Sequence, residues 1–349
     1  MSNFTKMTGM LKRLVKGPDN IPTKAWIELT DECNSHCKTC NIWAKTPTPK
    51  EELITPDDLY RLFSDPLMSK VDEITNSGGE MSLREDMLEC LLAEHRALPN
   101  ARIVLSTNGT NPIQIAIVVR RLLAEGANVA VGTSIEAIGK EHDSIRGVKD
   151  NFGNILILID LLKQLQDGYG KDRLSIGFGT TLTKYSAPHI DEIKQFAKDN
   201  DLYYLIQWAA NSSFYGNEDV SFDRSVEREI VSNLDDRFNI LREMWLGYLD
   251  GKSIRFKCRA LRNFVVIKCN GDVIPCLTWY DFATGNIKEE SITDIWTGDK
   301  IQAIRDIVID PCSGCLNSWG TFWSFEHTVY PYLHYYIKHP IKLWRKLNG

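Results

Sequence analysis

The chain lacks any run of 18 or more apolar residues, so nothing in it reads as a membrane-spanning helix. It also lacks a strong charge of one sign. The 41 Lys and Arg residues face 46 Asp and Glu, a net charge of -5, which excludes a global nucleic-acid footprint. No internal repeat and no low-complexity tract is visible. Met1 to Lys16 lack the apolar core and small-residue cleavage site of a secretory signal, so the expected compartment is cytoplasmic. Disulfides are rare in that reducing environment. Nine cysteines are nevertheless present among the 349 residues. They are expected to be metal ligands, catalytic groups or core.

Three of them, Cys33, Cys37 and Cys40, fall within eight residues. Five more, Cys258, Cys269, Cys276, Cys312 and Cys315, lie near the other end, and Cys90 stands alone. Two blocks separated by a long cysteine-poor stretch predict two metal sites with a large fold between them.

That stretch alternates short apolar runs with longer amphipathic ones. Strands are predicted at Ala25–Thr30, Val71–Asn76, Arg102–Ser106, Asn128–Ser134, Leu174–Leu182 and Tyr203–Trp208. Helices are predicted near 55–63, 84–96, 113–124, 152–166 and 189–199, the first with Thr55 as N-cap, Pro56 at N1 and Asp58 at N3. Strand and helix in alternation mean a parallel sheet covered by helices. In such sheets functional loops follow the strands' C-terminal ends. The Cys33 block, Ser77-Gly78-Gly79-Glu80, Thr107-Asn108-Gly109 and Ser134-Ile135-Glu136 all do so. Beyond it, Asn270-Gly271 marks a hairpin between Phe264–Lys268 and Asp272–Pro275, and Ser291–Val308 reads as one helix.

On spacing alone, Cys33-x3-Cys37-x2-Cys40 has two readings. Three thiolates can hold three irons of a cubane cluster and leave the fourth open. A zinc knuckle would need a fourth ligand, for which His36 is the local candidate. The motif followed by Gly78-Gly79-Glu80 after the second strand resembles the radical S-adenosylmethionine (radical SAM) enzymes. The resemblance covers roughly residues 22 to 210 and implies a partial (β/α)6 TIM-like barrel, an α/β fold. It implies a 4Fe-4S cluster on Cys33, Cys37 and Cys40 whose open iron chelates S-adenosyl-L-methionine (SAM). It also implies cofactor contacts from Gly78, Gly79, Glu80, Asn108, Ser134, Glu136 and Arg146. The aromatic residue many members carry before the third cysteine is Thr39 here, and Trp43 is a candidate to cover cluster or adenine instead.

The second block, with Thr284-Gly285-Asn286-Ile287 and Ser291 to Trp296, resembles the SPASM/twitch extension of these enzymes. No cysteine follows Cys315, so the shorter twitch form is expected. Its auxiliary 4Fe-4S cluster would be held by Cys258, Cys276, Cys312 and Cys315, with zinc in the same cage as the alternative. Cys269 is left over. It is a spare thiol, a substitute ligand, or a hydrogen-atom donor to a substrate radical. Cys90 is expected in the core.

The expected division is a basic N-terminal segment (1–21), the core (22–216), a helical linker (217–256), the twitch domain (257–320) and an aromatic, basic tail (321–349). The resemblance implies a one-electron reductant such as flavodoxin or ferredoxin. It also implies hydrogen abstraction by a 5′-deoxyadenosyl radical. Substrate readings are oxidation or epimerisation of a sugar or aminoglycoside-type molecule, with a ribosomally made peptide as alternative. Only about 24 residues precede the first strand, too few for a winged-helix peptide-binding region. A structural zinc or iron–sulfur protein is the non-enzyme reading. Peripheral membrane contact by the tail and by Leu11, Lys12, Arg13, Leu14 and Lys16 is weighed against a tail packed over the barrel, which is favoured.

Overall fold

Six parallel strands form at the predicted apolar runs, the second set two residues later than the expected Val71–Asn76: β1 (Lys24–Thr30), β2 (Glu73–Gly78), β3 (Arg102–Ser106), β4 (Asn128–Ser134), β5 (Leu174–Leu182) and β6 (Tyr203–Trp208). The computed structural model describes residues 20–218, 227–234, 239–252, 258–312 and residue 324. The helices are α1 (Pro56–Ser64), α2 (Met87–Ala97), α3 (Pro112–Ala124), α4 (Lys140–Arg146), α5 (Asn151–Tyr169), α6 (Ile190–Asp199), α7 (Glu227–Ser232), α8 (Asn239–Leu249), α9 (Ile292–Thr297) and α10 (Asp299–Ile304). The first begins as expected. Thr55 Oγ1 accepts from the Asp58 amide, and Asp58 returns a carboxylate to the Thr55 amide.

The strands lie in the order β6-β5-β4-β3-β2-β1, and among the described residues β6 pairs only with β5. The sheet therefore stays open, as a partial barrel does. Beyond β1 it continues through β7 (Phe264–Ile267), β8 (Asp272–Ile274) and β9 (Gly285–Asn286). β7 pairs parallel with β1, Ala25 beside Val265 and Ile27 beside Ile267. The cysteine-bearing C-terminal unit thus extends the same sheet, with β7 and β8 joined by the predicted Asn270-Gly271 hairpin.

The inside-outside pattern is the reverse of a filled barrel, whose interior is packed with bulky side chains. On β4, Val129, Val131 and Thr133 are buried under helices, whereas inward-facing Ala130, Gly132 and Ser134 are only half-buried. On β5, Leu174, Ile176, Phe178 and Leu182 are buried, whereas Ser175, Gly177, Gly179 and Thr181 are half-buried. The core sits between sheet and helices, and the lumen is left hollow.

One expectation is corrected. Ser291–Val308 is not one helix. Ser291 caps α9, but Gly298 is extended (φ -69, ψ 159), so the chain breaks there, restarts as α10 and ends in a π turn over Arg305–Ile309. Arg305 fastens this segment, donating to the Leu261 and Trp296 carbonyls.

Behind β2 lies a polar pair that no motif announced. Glu94 and Asn76 are both fully buried, and Asn76 Nδ2 donates to Glu94 Oε2 at 2.8 Å. Glu94 Oε1 and Asn76 Oδ1 have no partner. A proton on Oε1 supplies the missing donor, and burial raises the carboxyl to about 8. Below pH 4.5 folded and unfolded chains both keep this proton. Between 4.5 and 8 only the unfolded chain loses it, so stability falls as pH rises through that window. Glu94→Gln supplies an amide donor at every pH. Its unfolding free energy from urea titration should lie close to the parent's at pH 5 and exceed it at pH 8, by about 3–5 kcal/mol in the limit. A constant difference between the two pH values would contradict this.

Candidate active site at the strand ends

The loop after β1 carries Cys33, Cys37 and Cys40, and the turn after β2 is pressed against it. Gly79 donates to the Thr30 carbonyl and Glu80 to the Glu32 carbonyl, both at 2.7 Å. A Cβ on Gly78 would lie 2.1 Å from Thr30 O, and one on Gly79 would lie 2.0 Å from Glu32 O. Both glycines line the cavity described below. The space their missing side chains leave is filled by the cysteine loop's own backbone, which only glycine permits.

Glu80 stands beneath the rim and is fully buried. Its carboxylate accepts from the Ser82 amide (3.0 Å), the Thr107 hydroxyl (2.8 Å) and the Asn108 amide (2.6 Å). It therefore ties β2's turn to the loop after β3. Asn108 passes the tie on, donating to Asn34 Oδ1 and Ser35 Oγ in the cysteine loop. These hydrogen bonds fix where the three thiols stand.

Arg146 ends α4, beside the same loop, where Lys38 N donates to the Ile145 carbonyl. Its Nη1 lies 3.8 Å from Glu136 Oε1, and Glu136 Oε2 accepts from the Thr181 amide. Burial raises the Glu136 carboxyl to about 7 against the opposing pull of Arg146. Burial by itself would lower Arg146, but the charges of Cys37, Glu136, Cys40 and Cys33 hold it above its ordinary value. His142 orients this corner. Burial and the Arg146 charge pull it down to about 4, so the ring is neutral. Its Nδ1 accepts from the Glu136 amide, which leaves Nε2 to donate to Asn151 Oδ1. Asn151 in turn donates to the Asn108 carbonyl.

The strand ends and the hollow lumen enclose a cavity of about 700 Å³, within the range of small-molecule sites. Cys33, Cys37 and Cys40 line it, as do Asn108, Ser134, Glu136 and Arg146. Burial raises the Cys33 thiol, and raises Cys40 to about 12. The sequence reading missed Tyr215, which follows β6 and lines the cavity near Cys40. Its loop is stitched to the cysteine loop: Asn41 N donates to the Tyr215 carbonyl and Asn217 Nδ2 to the Thr39 carbonyl. The aromatic run after a strand end was the available signal. Trp43 is 39% exposed, packs edge-on against His36 at 4.7 Å and does not line the cavity.

In the C-terminal unit, Cys276 is raised chiefly by burial and also by the charge of Cys312, so these two thiols are neighbours. Cys258 precedes the Ala260–Phe264 bridge that leads into β7. Arg262 pairs with Asp310 at 2.9 Å and brings the Cys312 end back to that bridge. Cys315 lies outside the described residues, as do residues 1–19 of the N-terminal basic segment and all of the tail except Ser324. Cys269 is buried beneath Glu28 and Thr48 and is not among the residues lining the cavity. Its amide donates to Glu28 Oε2 (3.1 Å) and its thiol to Thr48 Oγ1 (3.4 Å). Tyr280 donates to both Glu28 oxygens. This cluster joins β1 to the auxiliary unit. Cys90 is in the core, as expected.

The donor set suits a cluster with one open iron. The thiols of Cys33, Cys37 and Cys40 all line the same cavity. Arg146 Nε is buried with no partner, a donor left for an incoming carboxylate.

Comparison with known proteins agrees with this geometry. Residues 27–187 match the radical SAM superfamily model and residues 258–316 match SPASM, an iron–sulfur cluster-binding domain, together more than half of the chain. The chain is 26% identical over 312 residues to Fe-coproporphyrin III synthase of Methanosarcina barkeri, covering 80% of this chain and 74% of that protein. It is 23% identical over 293 residues to the sporulation killing factor maturation protein SkfB of Bacillus subtilis, covering 82% and 67%. Among solved structures, Streptococcus suis SuiB bound to S-adenosylmethionine superposes with a TM-score of 0.61 at 16% identity. That match covers 84% of this chain and 69% of SuiB, a likeness of fold. No helix among the described residues is long and apolar enough to cross a membrane. The chain belongs to the radical SAM superfamily, carries a SPASM domain, and has iron–sulfur clusters and S-adenosylmethionine as its cofactors.

Proposed function

We propose that the chain abstracts a hydrogen atom from a neutral, hydroxyl-rich substrate of sugar type and oxidises it. The supporting observation is the character of the cavity wall. Its charged lining is two arginines and two glutamates, Arg102 near Glu73 and Arg146 beside Glu136. The rest mixes hydroxyl side chains such as Thr75, Ser106, Ser134, Ser175 and Thr181 and small residues with large apolar ones such as Trp26, Phe178, Trp208 and Phe214. A wall with no net charge and many hydroxyls suits a polyol better than a porphyrin bearing several carboxylates, which would need cationic partners.

In this reading Cys33, Cys37 and Cys40 hold the first cluster, and Cys258, Cys276, Cys312 and Cys315 the auxiliary one. Held there, the first cluster would supply one-electron reductive cleavage of SAM, releasing methionine, with flavodoxin or ferredoxin as the electron source, and the auxiliary cluster would supply an electron acceptor. Arg146 receives the SAM carboxylate. Asn108, Ser134 and Glu136 supply the neighbouring polar wall, and the turn at Gly78-Gly79 brings main chain to it. Cys269 is enclosed away from the wall, which favours oxidation over return of a hydrogen atom.

A peptide substrate is the second reading, favoured by the similarity to SkfB over most of the chain. Perdeuterated hexoses, perdeuterated myo-inositol and a perdeuterated synthetic peptide separate the two. Deuterium from a sugar or cyclitol should appear in 5′-deoxyadenosine by mass spectrometry. Deuterium from the peptide alone would replace the sugar reading with the peptide one.

A further inference from the structure

The turn that joins Cys258 to β7 buries a cation. Arg259 follows Cys258 directly and is 7% exposed. The turn is tight: the Arg262 and Asn263 amides both donate to the Arg259 carbonyl, and Leu261 takes a left-handed φ of 54°. Asn263 is thereby brought back beside Arg259, whose Nε donates to Asn263 Oδ1. The Arg259 amide donates to Ser324 Oγ at 3.1 Å, so main chain and side chain are both held. Nη2 of Arg259 is buried and, among the described residues, has no hydrogen-bond partner.

A buried guanidinium is costly unless an anion faces it. Asn263 is neutral. Asp310 is close enough for its charge to act on Arg259, but both its oxygens already accept from Arg262 Nη2, at 2.9 and 3.0 Å. Burial and the Arg262 charge lower Arg259 to about 10, against the pull of Cys258 and Asp310, so the guanidinium stays charged at neutral pH and lies near the Cys258 thiol. A cubane held by four thiolates carries a net negative charge, and the charges and hydrogen bonds around it set its reduction potential. Each electron accepted there adds one negative charge, which a buried cation stabilises. We propose that Arg259 supplies the counter-charge to the auxiliary cluster and raises its reduction potential, which suits that cluster to take an electron from the substrate radical. The residue acts through the cluster and touches no substrate. This inference rests on the four-cysteine assignment of the function proposed above.

The test uses the full chain carrying Cys33→Ala, Cys37→Ala and Cys40→Ala, so that anaerobic reconstitution loads the auxiliary cluster alone. A redox titration followed by electron paramagnetic resonance reads its potential. Arg259→Gln should move the one-electron equilibrium at least tenfold toward the oxidised cluster, a fall of about 59 mV or more. Arg259→Lys keeps the charge and should move it by less than about threefold. Asn263→Asp leaves Arg259 in place but hands its guanidinium a carboxylate, so the potential should fall here too. That variant decides the matter if Arg259→Gln loads poorly. A role confined to folding would lower iron content or melting temperature and leave the potential of the loaded cluster where it was. A potential within about twofold of the parent equilibrium in Arg259→Gln or Asn263→Asp, or equal shifts in Arg259→Gln and Arg259→Lys, would overturn the inference alone. Zinc in place of iron in the parent background would defeat the four-cysteine assignment, and the inference with it.

Discussion

Glu80→Ala should destabilise the protein by about 3–6 kcal/mol, a large part of the ~5–15 kcal/mol typical of a folded domain. The carboxylate is fully buried and serves three donors, the Ser82 and Asn108 amides and the Thr107 hydroxyl. Alanine leaves all three without an acceptor in a site water does not reach, and each orphan costs about 1–3 kcal/mol. Glu80→Gln retains one acceptor oxygen but turns an NH2 toward a donor, so its loss should be smaller, about 2 kcal/mol. Glu85→Ala is the contrast. Glu85 pairs with Lys50 at 2.7 Å on the open surface, where water screens the pair, so its loss should barely move the unfolding midpoint. Urea unfolding of the three variants reads these differences. Faster amide exchange at Asn108 in Glu80→Ala would locate the damage at the rim. A Glu80→Ala midpoint as close to the parent as that of Glu85→Ala would remove Glu80 from this tying role.

Much of this architecture was legible because its signals are local. The bounds of β3, β4, β5 and β6 follow from apolar runs ended by polar or glycine-rich turns, and each ends where the sequence reading placed it. The capping box at Thr55 and the Asn270-Gly271 hairpin are likewise written in a few adjacent residues. What the sequence could not show depends on partners distant along the chain. Phe264–Ile267 reads as a strand, but nothing in it says that it pairs parallel with β1. Glu80 reads as a ligand contact after two glycines, yet its principal acceptor role is toward residues beyond the next helix. Glu94 and Asn76 find each other only through the packing of α2 on β2. The break at Gly298 was visible as a glycine, but the apolar spacing on either side outweighed it. Tyr215 reaches the cysteine loop because the chain after β6 folds back across it.

The second large effect concerns the cysteines. Cys33→Ala should lower 5′-deoxyadenosine formation at least thousandfold while leaving the strands in place. Cys33, Cys37 and Cys40 line one wall of the cavity, and three thiolates are the minimum that holds a cubane cluster with one open iron. Removing one leaves two thiolates and no stable seat. Cys33 is only partly buried at the strand-end loop, so its replacement empties little core volume and should cost under about 1.5 kcal/mol. The same substitution at Cys90, which is fully buried in the core, should act on stability and leave the iron count alone.

The decisive measurement is iron content and 5′-deoxyadenosine yield, taken together, for anaerobically reconstituted parent and Cys33→Ala proteins supplied with SAM and dithionite. The parent should form 5′-deoxyadenosine. Cys33→Ala should bind about four irons fewer, as loss of one cubane requires, and form almost none. Equal iron in the two proteins, or 5′-deoxyadenosine from Cys33→Ala at the parent's rate, would contradict the assignment of these three cysteines to the site where SAM is cleaved.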